Sequence, residues 1–255
     1  VRIDKHPPGS PCWVDLGTGD LPGARRFYAG LFDWDPVTNP DPRAGGYTLF
    51  HLDGAVVAGA GRLTAPGQPV AWTVYLASED ADATARTAVA AGGHVLVEPV
   101  DVRAEGRMCV LADPGGAAFG VWQPGGFAGT QLSGRPGTLT WIELMARDAE
   151  GSARFYQRVF GWQARPANLP SMSYTEFALG GQPFAGMMEM TGDAWPADLP
   201  PHWMPYFEVA DCDAAAGRTR ELGGTVAVPP TDIQPGRFAV LGDPYGAYFS
   251  VLHLR

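Results

Sequence analysis

The feature that most constrains the fold of this chain is an internal duplication. Trp13-Val14-Asp15-Leu16, followed by Arg26-Phe27-Tyr28 and Leu31-Phe32, returns 128 positions later as Trp141-Ile142-Glu143-Leu144, followed by Arg154-Phe155-Tyr156 and Val159-Phe160. Trp72, Tyr75, Asp80 and Gly92-Gly93 correspond to Trp203, Tyr206, Asp211 and Gly223-Gly224, and Asp113-Pro114 to Asp243-Pro244. A repeat of this length is one folding unit encountered twice, so the 255 residues divide into a first domain over 1–130 and a second over 131–255. Each is of ordinary domain size, and a chain that is 45% hydrophobic can bury two cores. The Gly- and Pro-rich stretch 124–137 reads as the linker, because its composition cannot hold a helix.

Within the first repeat, a strand-like run over 12–18 ends at Asp20, an N-cap residue, with Pro22 where its missing N–H costs nothing. Ala24, Phe27, Tyr28, Leu31 and Phe32 then recur at helical spacing and make one apolar face. Short strands are expected at 48–52, 55–60 and 71–76, separated by Gly, Pro and Asp. A second helix over 80–91 closes on Gly92-Gly93, followed by strands near 94–97, 107–112 and 118–122. The second repeat has the same order, with helices at 150–160 and 211–222. The expectation is an α+β architecture of four βαβββ units in two tandem domains, with curved mixed sheets forming cup-shaped clefts and helices outside.

Charge and cysteine usage exclude several functions. Twenty-seven acidic against 18 basic residues leave a net charge of -9, which repels phosphate backbones and anionic lipid, so neither nucleic acid nor membrane is expected as a partner. Cys12, Cys109 and Cys212 are widely spaced and odd in number, which suits a reducing cytoplasm rather than a disulfide framework or zinc ribbon. No apolar run reaches a membrane span, and residues 1–8 lack the apolar core of a signal peptide. The bias towards Ala, Gly, Pro and Arg, with Lys5 as the one lysine, points to a GC-rich genome of the actinobacterial type.

The opening strand ending in Asp, the Arg-Phe-Tyr helix with its following Trp, the Gly-Gly pair and the closing Asp-Pro-x-Gly turn together resemble the vicinal oxygen chelate superfamily, once per domain. That superfamily includes glyoxalase I, extradiol dioxygenases, fosfomycin-modifying enzymes and bleomycin-binding resistance proteins. The resemblance implies the fold closely and the chemistry loosely, since one scaffold hosts many reactions. It also implies where metal ligands would stand. Trp13 and Trp141 take the first-strand position, Thr73 and Met204 the second within one or two residues, and Gly120 and Ser250 the last. None of these makes a convincing divalent-metal ligand set, and His6, His51, His94, His202 and His253 form no HxH or HxxxH pair. Neither metal nor cofactor is therefore expected. His51 and His253 are strand-end residues whose direction the sequence leaves open.

Side chains alternate along a strand, so residues two apart from a former ligand position share its face. This projects Trp13 with Asp15, Trp141 with Glu143, Thr73 with Tyr75, Met204 with Tyr206, Gly120 with Trp122, and Tyr248 with Ser250 into the cups; Tyr47, Tyr174, Met188 and Met190 are further lining candidates. Such a lining suits a flat, apolar aromatic ligand held by stacking and, for a cation, by cation–π contact. Asp15 and Glu143 are the candidate acid–base residues. The tryptophans could equally plug space that a metal would fill. The first reading is thus a metal-independent binding protein for an aromatic antibiotic or biosynthetic intermediate, acting in sequestration and resistance or as an accessory factor in biosynthesis. The alternatives are a metal-free isomerase, cyclase or hydroxylation-associated enzyme, and, third, a metal-dependent lyase or dioxygenase. A monomer is expected, with the second domain pairing with the first inside one chain.

Overall fold

The computed structural model describes residues 1–169, 172–193 and 195–255. The first domain runs β1 (Pro11–Thr18), α1 (Leu21–Phe32), β2 (Asp35–Thr38), β3 (Thr48–Leu52), β4 (Ala55–Arg62), β5 (Ala71–Ala77), α2 (Ala81–Ala90), β6 (His94–Val102), β7 (Gly106–Ala112) and β8 (Ala118–Pro124). The second runs β9 (Leu139–Ala146), α3 (Ala149–Phe160), β10 (Gln163–Leu169), β11 (Met172–Leu179), β12 (Gln182–Glu189), β13 (His202–Glu208), α4 (Cys212–Glu221), β14 (Thr225–Ile233), β15 (Gly236–Gly242) and β16 (Tyr248–Leu254). Each domain is one eight-stranded mixed sheet, ordered β2-β3-β4-β1-β5-β8-β7-β6 and β10-β11-β12-β9-β13-β16-β15-β14. Four βαβββ units are present, as the sequence indicates. In each, the first strand lies parallel to the last, and the two units of a domain join where β1 pairs antiparallel with β5, and β9 with β13.

Local chemistry sets the helix starts. The Asp20 side chain accepts from Gly23 N at 2.9 Å and Asp148 from Gly151 N at 2.8 Å, each satisfying an orphan donor of the first turn. Strands β2 and β10 escape a reading by pattern because they are edge strands carrying Pro36 and Pro166, residues depleted from sheet interiors. Strand β6 also runs past its expected end to Val102.

The helix-bearing faces of the two sheets share one apolar core. Phe32 and Trp72 pack on Phe207 of the second domain, each with ring centroids 5.2 Å apart. A methyl group added at Gly93 would stand 2.9 Å from Cε2 of Phe155, and one at Gly224 3.0 Å from Cε2 of Phe27. The second glycine of each Gly-Gly pair therefore admits a helix phenylalanine from the other domain. Tyr28 donates to Asp243 Oδ2 (3.0 Å) while accepting from Trp72 Nε1 (3.0 Å); Tyr156 repeats this with Asp113 Oδ2 (3.4 Å) and Trp203 Nε1 (2.8 Å). The Asp-Pro turns are thus interdomain fastenings as well as turns. The linker forms no helix, yet it is not slack: Thr130 N donates to Cys12 O and Gln131 N to Val56 O, both at 2.8 Å.

Candidate functional site

The opposite face of each sheet, turned away from the shared core, carries its own cluster. Along β1, Val14 and Leu16 enter the shared core, leaving Trp13 and Asp15 for the cup. Register then decides their neighbours: Trp13 stands opposite Tyr75 and Asp15 opposite Thr73, with Tyr75 opposite Gly120 on the next strand. In the second domain Trp141 stands opposite Tyr206, Glu143 opposite Met204, and Tyr206 opposite Ser250. The second-strand residue level with the tryptophan is therefore Tyr75 or Tyr206, two positions on from Thr73 or Met204.

The same hydrogen-bond network is built in both cups. Trp13 Nε1 donates to the Tyr47 hydroxyl (3.2 Å), which donates to Asp15 Oδ2 (3.1 Å), and the Tyr75 hydroxyl reaches the same oxygen at 3.4 Å. Trp141 Nε1 donates to Tyr174 (3.2 Å), Tyr174 to Glu143 Oε2 (2.9 Å), and Tyr206 to Glu143 Oε1 (2.8 Å). Gly59 and Gly186, level with Asp15 and Glu143, make room for this. An added Cβ would lie 2.2 Å from the Tyr47 hydroxyl oxygen and 1.9 Å from that of Tyr174.

Burial and hydrogen bonding act on the carboxyl groups in opposite directions. Desolvation raises the Asp15 pKa to about 6, with the hydrogen bonds from Tyr47 and Tyr75 pulling it down by less. Glu143, only 4% exposed, is also raised by desolvation against the pull of Tyr206 and Tyr174. Desolvation and the adjoining carboxylates hold the four tyrosines above the usual phenol range, so they remain protonated donors. Each cup therefore presents one carboxyl whose proton is held more firmly than usual, framed by phenols and an indole.

Most of the other residues read from the sequence also line the cups. Trp122 belongs to the first cluster and donates to Phe127 O at 2.9 Å. Met188, Met190 and Met204 belong to the second, where Ser250 Oγ lies 3.0 Å from Met204 Sδ. Tyr248 is 52% exposed at the start of β16 and stands outside the network. His51 pairs with Val56 of the first cluster, whereas His253 Nδ1 lies 3.1 Å from Val209 O. Pattern reasoning missed Phe127, Met145, Trp195, Leu199 and Arg147, which close or cover the cups, and Gly59 and Gly186 beneath the tyrosines. The glycines were legible in principle, since they recur between the repeats; the covers are not repeated and leave no such signal.

The donors present do not fit a divalent metal. Among the described residues no three His, Cys, Asp or Glu side chains converge, and each cup offers one carboxylate already engaged by two phenols. At Gly120 any side chain would begin 2.1 Å from the Tyr75 ring, so that ring fills the last-strand position. Two surface clefts lie elsewhere: one of about 380 Å³ beside Lys5, His6, Ser78 and Glu79, the other of about 540 Å³ between α2 and β6. Both are lined by residues outside the networks. No helix among the described residues is long and apolar enough to cross a membrane.

Comparison with known proteins agrees with this architecture. Residues 12–121 match the Glyoxalase/Bleomycin resistance protein/Dioxygenase superfamily and residues 141–252 a Glyoxalase-like domain. The anthracycline biosynthesis protein DnrV of Streptomyces peucetius is 42% identical, the match covering 99% of this chain and 96% of that protein. The anthracycline biosynthesis protein DauV of Streptomyces sp. (strain C5) is 40% identical over the same shares. Among solved structures, the Mn(II)-bound glyoxalase from Novosphingobium aromaticivorans superposes with a TM-score of 0.68 at 18% identity, covering 96% of this chain and 82% of that one. The chain belongs to the glyoxalase/bleomycin resistance protein/dioxygenase superfamily, with one domain of that kind in each half.

Proposed function

We propose that this protein binds a flat, polycyclic aromatic molecule without a metal and serves as an accessory protein in the biosynthesis of an aromatic antibiotic. The observation that carries the reading is the Trp–Tyr–carboxylate–Tyr network, built in both cups around Trp13 and Trp141, the residues that the resemblance puts at the first-strand ligand position. Indole, phenol and thioether groups favour an aromatic guest, and the carboxyl supplies a fixed polar contact for a hydroxyl or carbonyl on it. Relatives named for anthracycline biosynthesis, aligned over nearly their whole length, support the same ligand class. Sequestration of a toxic product would use the same binding. The protein acts as a cytoplasmic monomer of 27.1 kDa.

Titration with a hydroxylated anthraquinone, followed by quenching of tryptophan fluorescence, tests binding, and elemental analysis tests the metal. Saturable quenching from metal-free protein is expected. About one zinc, iron, nickel or manganese per domain, with melting temperature lowered by chelator, would sink the metal-free reading.

A second reading is favoured by Asp15, whose pKa of about 6 suits a general acid–base group. On that reading, which requires the first cup to admit the guest, the protein catalyses an isomerisation or cyclisation of the bound aromatic. Turnover that follows a group of pKa near 6 and is lost in Asp15→Asn would favour this enzyme over the binding protein.

A further inference from the structure

The two cups carry the same network under different covers. In the first, Phe127 packs edge-on against Trp13 with ring centroids 4.9 Å apart and lies 6.1 Å from the ring of Trp122. Its backbone is tied on both sides: Phe127 N donates to Glu105 O at 3.0 Å and its carbonyl accepts from Trp122 Nε1 at 2.9 Å. Just beyond, the linker bonds to β1 and β4 through Thr130 and Gln131, and the Gln131 side chain accepts from Val56 N at 3.0 Å. Lifting the chain at Phe127 would break its bonds to Glu105 and Trp122, and the neighbouring ties at Thr130 and Gln131 limit how far it can move.

The second cup is covered by residues 195–199, whose Trp195 and Leu199 pack on the cluster of Met145, Met190, Met204 and Tyr206. Among the described residues no backbone hydrogen bond joins 195–199 to a strand; Leu199 N turns back to Pro196 O at 3.1 Å. Arg147 supplies the polar hold. From the end of β9 its guanidinium donates to Met190 O (3.2 Å), Pro196 O (2.6 Å) and Leu199 O (3.2 Å), with Ala197 O at 3.5 Å. The repeat position in the first domain is Gly19, so the first cup has no such group. Pro196, Ala197, Asp198 and Arg147 itself are exposed. A cover tied by one exposed side chain opens at less cost than one sewn into a sheet.

Resting on the reading that the cups bind an aromatic guest, the geometry points to the second cup as the one a ligand enters, with 195–199 as a flap, Arg147 as its latch, and Phe127 as a standing plug of the first cup. The guest is a flat polycycle bearing a hydrogen-bonding oxygen. Sulfur atoms of Met145, Met188, Met190 and Met204 and the Trp141 ring adapt to its faces, and Glu143 with its two tyrosines forms the one polar patch.

The probe is 1,4-dihydroxyanthraquinone, followed by calorimetry for stoichiometry and stopped-flow tryptophan quenching for rates. Wild-type protein is expected to bind one equivalent. Arg147→Met should keep that stoichiometry while raising both association and dissociation rates by about threefold to tenfold, because the flap opens more often. Arg147→Lys, which keeps the charge without the fork, should fall between and serves if the methionine variant folds poorly. Phe127→Ala should add a second, weaker equivalent. Two equivalents in the wild type, or rates unchanged in both Arg147 variants, would overturn the assignment while leaving aromatic binding intact; no binding at all would overturn both.

Discussion

At Asp15 the cost of burial exceeds the gain from its hydrogen bonds, and the difference is measurable as a pH dependence. Its folded pKa of about 6 lies above the ordinary 3.8, so folding favours the protonated form. Below about pH 4 both states keep the proton and the penalty is absent. As pH rises from about 4 to 6 the unfolded chain loses its proton first, and the folded state gives up at most about 3 kcal/mol. Asp15→Asn has no such proton, so its stability relative to wild type should rise through that window and level off above it. Denaturant melts at stepped pH check this; a flat difference would refute the raised pKa. Gly186→Ala belongs to the same scale. Its methyl would press on the Tyr174 hydroxyl, so a loss of about 1–3 kcal/mol is expected from urea melts, with weaker ligand binding if Tyr174 is displaced.

Elements follow sequence where one local signal governs them. The α1 start was readable from Asp20 because an N-cap acts within one turn, and the structure repeats the cap at Asp148 of α3; Asp20→Ala should lower stability by about 1 kcal/mol in thermal melts, with α1 otherwise intact. β2 and β10 were not readable, since an edge strand is held by its neighbour's backbone rather than by its own propensity. The linker shows the same division. Its composition correctly excludes a helix, but nothing in the sequence indicates that Thr130 and Gln131 bond to β1 and β4 or that Phe127 enters a cup.

Across the whole molecule, one apolar core runs through both domains, so the halves should not melt separately. A single calorimetric transition is expected; two well-resolved transitions would contradict the shared core. Tyr28→Phe tests the fastening. It leaves Trp72 Nε1 and a buried Asp243 oxygen without the hydroxyl between them, and should cost about 1–3 kcal/mol while lowering the one transition as a unit. Sedimentation should give a mass near 27.1 kDa, because the helix-bearing face of each domain is already covered by the other.

The duplication by itself determined two tandem α+β domains, and strand alternation determined that Trp13 and Asp15, like Trp141 and Glu143, share a face, since both depend on spacing along the chain. Register was decided only in the sheet: Tyr75, not Thr73, stands level with Trp13 because pairing between β1 and β5 depends on how two separate strands settle against one core. The unlike covers of the cups, Phe127 on one and the Arg147-held segment on the other, were decided there too. They arise from contacts between residues with no repeat and no common period, and only the folded backbone brings such residues together.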